Sequence, residues 1–432
     1  MALTVSVLFI SFFILLAIGT PISIGIGLAS FLTILINLPF DVAVIASAQK
    51  MITGMDSFTL LAIPFFILSG SIMNTGGIAI KLVNFAKLLG GRLPGSLAQV
   101  NVLGNMLFGS ISGSAVAAAA AIGGTLDPLQ KKEGYDPKFS AAVNIASSPT
   151  GLLIPPSGSL IVFSLVSGGT SIGALFVAGY VPGILMGLSV MIIAYFIAKK
   201  NNYPVEGKVS FGEATKVILD AIPSLLLIVI VIGGIIAGIF TATEASAISV
   251  VYTLFLSVVV YKSLTFEHMQ TIFKDTIKMT GIIMFLIGAS SIMSWAMAFS
   301  TIPQFITNAI LGLSDNKIII LLLMNVILLI TGTFMDLTPA ILIFTPIFLP
   351  IATKLGLHPV HFGIMLVSNL CIGICTPPVG SVLFIGCGIA KVKIEEVIKE
   401  LIPFFIGLII TLLMITYIPW ISLGLPKLFK LI

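Results

Sequence analysis

The segment CTPPVG, Cys375 to Gly380, lies inside one of the most apolar stretches of the chain. Two adjacent prolines and a glycine stop a helix there, since each proline lacks an N–H and clashes with the preceding turn. In hydrocarbon such a break strands backbone polar groups, and it is tolerated only where protein buries it or where it lines a cavity. IPPSGS, Ile154 to Ser159, makes the same break earlier, with its prolines 222 residues upstream. The fold turns on what these two breaks are for.

Their surroundings are a membrane. Of 432 residues, 58% are hydrophobic and 9% are charged, and mean hydropathy is +1.21. Soluble domains carry about 25% charged residues, so an all-α polytopic membrane protein is expected. The net charge of +5 comes from short basic clusters between apolar stretches, which speaks for topology rather than for nucleic acid. Met1 to Ile18 has neither a basic n-region nor an A-x-A cleavage site and reads as the first span. Cys371, Cys375 and Cys387 form no disulfide framework and no metal spacing, and read as packing residues.

Apolar windows long enough to span, roughly 17–25 residues or more, fall near 3–20, 22–48, 58–76, 139–168, 171–198, 217–240, 244–262, 278–300, 361–390 and 400–422. Two further stretches, 97–127 and 318–350, are interrupted by GSISGSA (Gly109 to Ala115) and TGTFMDLTP (Thr331 to Pro339). A helical hairpin that enters and leaves on one side places such residues at its tip. With both stretches as hairpins and both termini outside, sixteen of the 21 Lys and Arg residues fall on the inner face. That bias obeys the positive-inside rule. Amphipathic segments at 78–92 and 264–278 read as interfacial arms.

The chain repeats itself. Pro128, Gly134, Pro137, Gly151, Pro155, Pro156, Gly158 and Ser159 match Pro350, Gly356, Pro359, Gly373, Pro377, Pro378, Gly380 and Ser381, every pair 222 apart. Upstream, FFILSGSIM (Phe65 to Met73) matches FLIGASSIM (Phe285 to Met293) 220 apart. Two homologous halves are expected: 1–200, a cytoplasmic linker at 201–216, and 217–432. Five spans per half is an odd number, so the second copy is inverted, with the hairpin tips meeting near the midplane.

Freed carbonyls and hydroxyls at tips and breaks suit Na⁺, a hard cation that needs no carboxylate. One candidate Na⁺ site joins Gly109, Ser110 and Ser112 to Ser147, Pro149 and Gly151. The other joins Gly332, Thr333 and Met335 to Gly373, Thr376 and Pro377. Helix packing by small residues explains one such motif alone, but not four paired by a repeat. No lysine or arginine falls in this centre, so an anionic substrate would meet half-helix N-termini at Ser112 and Ser114 and after the breaks, at Pro156, Ser157, Pro378 and Val379. Asp336 is a carboxylate at membrane depth, costly and usually functional. It binds substrate, tunes the ion or carries a proton, against the plainer reading of a helix cap. Glu244 reads as an N-terminal helix charge, Asp127 as a hairpin-base residue, and His358 and His361 as solvated or packing residues.

The tips GSISGSA and GTFMDLTPA, followed by IPPSG and TPPVG, resemble the large membrane subunit of tripartite ATP-independent periplasmic (TRAP) transporters over essentially the whole chain. The resemblance implies an elevator-type, Na⁺-driven secondary transporter of the ion-transporter superfamily in the bacterial inner membrane. It implies two partners, a soluble periplasmic substrate-binding protein and a small four-helix membrane subunit, for which this chain is too short. The details are most similar to the sialic-acid branch, with a C4-dicarboxylate member as the rival and a Na⁺/carboxylate symporter outside the family behind both. An intramembrane protease would need a partner for Asp336, and a channel would not need two closed tips. No GxxxxGK[ST] loop is present to use ATP directly.

Overall fold

Helix boundaries follow the prolines, glycines and caps along the chain. The computed structural model describes residues 2–205, 210–314, 316–377 and 379–432, and among them every regular element is a helix. The first half holds α1 (Ala2–Ala17), α2 (Ile22–Leu35), α3 (Phe40–Met55), α4 (Ala62–Thr75), α5 (Ile78–Gly90), α6 (Ser96–Ser112), α7 (Ala115–Lys132), α8 (Pro137–Ser147), α9 (Gly158–Val166) and α10 (Ile172–Lys200). The second holds α11 (Phe211–Ile236), α12 (Ala242–Phe255), α13 (Phe266–Phe299), α14 (Ile302–Leu311), α15 (Lys317–Phe334), α16 (Leu337–Lys354), α17 (Pro359–Gly373), α18 (Ser381–Ala390), α19 (Ile394–Tyr417) and α20 (Trp420–Leu428). Eight helices among the described residues are long and apolar enough to cross a membrane.

Element boundaries recur at the spacing of the sequence repeat. Ala115 and Lys132 bound α7, and Leu337 and Lys354 bound α16, 222 residues on at both ends. Ile22 and Leu35 bound α2, and Ala242 and Phe255 bound α12, 220 on at both ends.

Three expectations need correction. The apolar window 22–48 is two helices, because Pro39 cannot continue α2 and instead caps α3. The arm expected at 264–278 is the beginning of α13, a 34-residue helix opened by a Thr265–His268 capping box, with no proline to interrupt it. The short helix before the second hairpin is α14, started by Thr301 in the left-handed region with Pro303 in its first turn. The linker expected over 201–216 ends early, since the Ser210–Glu213 capping box opens α11 at Phe211; residues 206–209 lie outside the described residues.

The helices pack in two groups. In one, α2, α3 and α4 pack on α13, and α4 also packs on α12. In the other, the hairpins α6–α7 and α15–α16 pack with α8, α9, α17, α18, α10 and α19. The short helices bridge them: α5 touches α11 and α6, and α14 touches α13 and α16. Lys81 on α5 pairs with Asp220 on α11 at 2.8 Å and lies 5.8 Å from the Tyr261 ring. Both partners are partly exposed, so solvent screens the pair and it adds little to stability.

The base of the first hairpin is tied to the chain after α10. Tyr135 stacks on Tyr203 at 4.4 Å between ring centres, and its hydroxyl accepts from Leu97 N–H. Burial pushes its phenol up to about 12. At the opposite hairpin, Tyr417 donates to the Ile318 carbonyl at 2.8 Å.

Candidate functional site

Each hairpin meets a helix break through glycine. A Cβ placed on Gly151 would lie 2.6 Å from Gly109 Cα, and one on Gly373 would lie 2.5 Å from Gly332 Cα. Backbone touches backbone at both places, so tip and break are neighbours in both halves. In the first, the chain after α8 tightens into a 3₁₀ turn, Ser148–Leu152, that carries Pro149 and Gly151. In the second, the break folds over the tip, and the Thr333 carbonyl accepts from Val379 N–H at 3.3 Å and Gly380 N–H at 3.4 Å. That oxygen is therefore engaged with the protein rather than offered to an ion.

The tips meet at a polar cavity of about 100 Å³. The first tip contributes Gly113 and Ser114, the second Asp336 and Thr338, and the breaks add Ser159 and Ser381. Gly113 turns the first tip in the left-handed region, and Ser114 caps α7 by accepting from Ala117 N–H at 3.2 Å. Asp336 holds the equivalent N-cap position of α16, yet its side chain makes no capping hydrogen bond. The carboxylate is exposed at the cavity and makes no cap bond like that of Ser114 in the first half.

The remaining expected residues divide. Ser112 and Pro156 line an adjoining cavity of about 100 Å³ that shares Gly113, Ser159 and Thr338 with the first. Ser157 is fully buried, with an Oγ that has no partner among the described residues. Ser110 donates to the Leu107 carbonyl at 2.8 Å, Thr333 to Ile330 at 2.7 Å and Thr376 to Ile372 at 2.9 Å. Those hydroxyls keep lone pairs for an ion but spend their protons inside the helix. Pro377 is half-buried beside them. Met335 and Val379 face elsewhere, into an apolar cavity of about 540 Å³ against α1. Pro378 lies outside the described residues.

Sequence reasoning missed two asparagine clusters that clamp hairpin to break. The Asn105 amide lies 2.8 Å from both Asn101 Oδ1 and Ser147 Oγ and 3.0 Å from Asn144 Oδ1. Ser147 thus belongs to this clamp. In the second half Asn369, which matches Ser147 at 222 residues, donates to Asn325 Oδ1 at 2.8 Å, and Asn325 donates to Thr416 Oγ1 at 3.0 Å. Ser159 and Ser381 were also missed, although they match each other across the repeat.

Several plainer readings hold. Glu244 closes a capping box with Thr241, and Asp127 pairs with Lys131 at 2.7 Å at the hairpin base. His361 is buried against Ser422 and Thr416. Cys371, Cys375 and Cys387 are buried, as packing residues are.

Residues 9–421 match the family described as tripartite ATP-independent periplasmic transporter, DctM component. The chain belongs to the DctM family. It is 56% identical to the uncharacterized protein YgiK of Salmonella typhimurium, over 98% of this chain and 97% of that one. It is 40% identical to the sialic acid TRAP transporter large permease protein SiaM of Vibrio cholerae, over 89% of this chain and 90% of that one. The solved YdaH transporter of Alcanivorax borkumensis shares the fold, with a TM-score of 0.62 at 15% identity, covering 87% of this chain and 88% of that one. The DctM chain is thus a multi-pass transport permease, not an enzyme, from a family that works with a substrate-binding protein and a small membrane subunit.

Proposed function

We propose that this DctM chain imports an organic acid, sialic acid in particular, across the bacterial inner membrane by Na⁺ symport and an elevator movement. The observation that carries the reading is the cavity where both tips and both breaks converge. Its lining offers the hydroxyls of Ser114, Ser159, Thr338 and Ser381, one carboxylate, and no lysine or arginine among the described residues. Hydroxyls and helix N-termini suit a polyhydroxylated monocarboxylate better than a dicarboxylate, whose second charge would face Asp336. Na⁺ bound at the tips would supply the missing positive charge. The similarity to SiaM points the same way. At about 100 Å³ the cavity is below the ~300–1,000 Å³ of ordinary ligand sites, so the tips part to admit substrate.

Proteoliposomes holding both membrane subunits, supplied with loaded binding protein, should take up labelled sialic acid only under an inward Na⁺ gradient. Equal uptake with K⁺ would sink the coupling, and uptake of succinate in preference to sialic acid would sink the substrate.

The outer face, which carries the base of the second hairpin and the loop at Leu355 to His361, would receive the binding protein, with both termini periplasmic. Single cysteines replacing Lys50, Asn316 or Lys354 should react with an impermeant thiol reagent in intact cells, while one replacing Lys132 stays unlabelled. The reverse pattern would turn the topology over.

A further inference from the structure

The 220-residue match of FFILSGSIM with FLIGASSIM pairs Gly70 on α4 with Ser290 on α13. The two positions meet different surroundings. A Cβ on Gly70 would lie 2.8 Å from the Ser112 carbonyl oxygen and 3.1 Å from Ser112 Cα, so the first hairpin's tip rests directly on α4. Among the described residues that line the cavity beside Ser290, none comes from a hairpin tip. Ser290 is 2% exposed, its Oγ has no hydrogen-bond partner among the described residues, and it lines that cavity, of about 330 Å³. Ser57, Ser291 and Ser294 share that lining, and Leu165 and Leu342 bring α9 and α16 to it.

Helix packing shows the same asymmetry. In the first half α4 and α5 pack on α6, the first arm of their hairpin, whereas in the second α13 and α14 pack on α16, the second arm. Phe334 and Met335 of the second tip instead line the apolar cavity against α1.

We infer that Ser290 is the seat of the second hairpin's tip in the opposite-facing state. At the repeat spacing of 222, Ser112 corresponds to Phe334. The Gly70 Cα–Cβ direction leads toward the Ser112 carbonyl, so the equivalent docking brings the Phe334 carbonyl within reach of Ser290 Oγ. A buried hydroxyl without a partner is costly, and this one gains its acceptor when the tip arrives. The inference rests on the alternating-access reading above.

Cysteine cross-linking separates the two. In the complete transporter with Cys371, Cys375 and Cys387 replaced, the pair Ser290→Cys and Phe334→Cys should cross-link during Na⁺-driven turnover and block uptake. An independent reporter, Ile63→Cys, sits 4% exposed beneath the first tip and should become reactive when that tip leaves. Labelling at 63 without any cross-link between 290 and 334 overturns the seat. No labelling at 63 during uptake overturns the alternating-access reading itself, and the seat with it. For the hydroxyl, Ser290→Ala should lower cross-linking of Ser291→Cys with Phe334→Cys roughly fivefold, the scale of one hydrogen bond, and Ser290→Thr should restore it. Equal cross-linking in the Ala and Thr variants removes the hydroxyl from the seat.

Discussion

Gly373→Val is expected to leave almost no folded transporter. The first added carbon would lie 2.5 Å from Gly332 Cα and 2.6 Å from its carbonyl carbon. Both are backbone atoms in a helix that packs along α17, so neither can swing aside as a side-chain end would. Overpacking a core costs about 1–3 kcal/mol even where side chains give way; here two helices must separate. Separation would also pull Asn369 from Asn325 and leave buried amides unpaired, at about 1–3 kcal/mol each. Gly373→Ala should be milder. Gly388→Val is the control, because a Cβ there meets nothing within 4 Å. Fluorescence-detected size-exclusion chromatography of the three variants reads the difference. Monodisperse Gly373→Val at the level of Gly388→Val would show that the close approach is dispensable.

Asp336→Asn should keep the fold and lose most transport, by at least about tenfold. The substitution preserves shape and one oxygen, and it breaks no capping bond, because the carboxylate makes none. What disappears is the charge. At 4 Å and an effective dielectric near 20, a carboxylate and a cation attract by about 4 kcal/mol, ample for a tenfold effect after screening. Measuring uptake against Na⁺ and against substrate then separates the roles. A rise in the Na⁺ concentration needed for half-maximal rate assigns Asp336 to the ion, and a rise in substrate KM with unchanged Na⁺ activation assigns it to the substrate. Transport equal to the wild type would leave Asp336 without a function at this cavity.

The sequence alone determined the class, the two hairpins and the two breaks. Those features rest on local chemistry: apolar length, prolines that cannot extend a helix, and small polar residues that hydrocarbon would not tolerate in mid-span. The repeat at 220 and 222 was equally legible, because Pro and Gly are held in place by backbone geometry. Three features were decided only in three dimensions. Asn101, Asn105, Asn144, Asn325 and Asn369 are isolated polar letters in apolar text, and their pairing depends on which helices lie side by side. That α2, α3 and α4 all pack on α13 was likewise a matter of tertiary structure, although Pro39 and the proline-free run of α13 are local signals for where those helices divide. The direction of Asp336 was closed to sequence too. An aspartate at an N-cap position ordinarily bonds to its own helix, and only the meeting of the two tips offers this carboxylate a cavity instead.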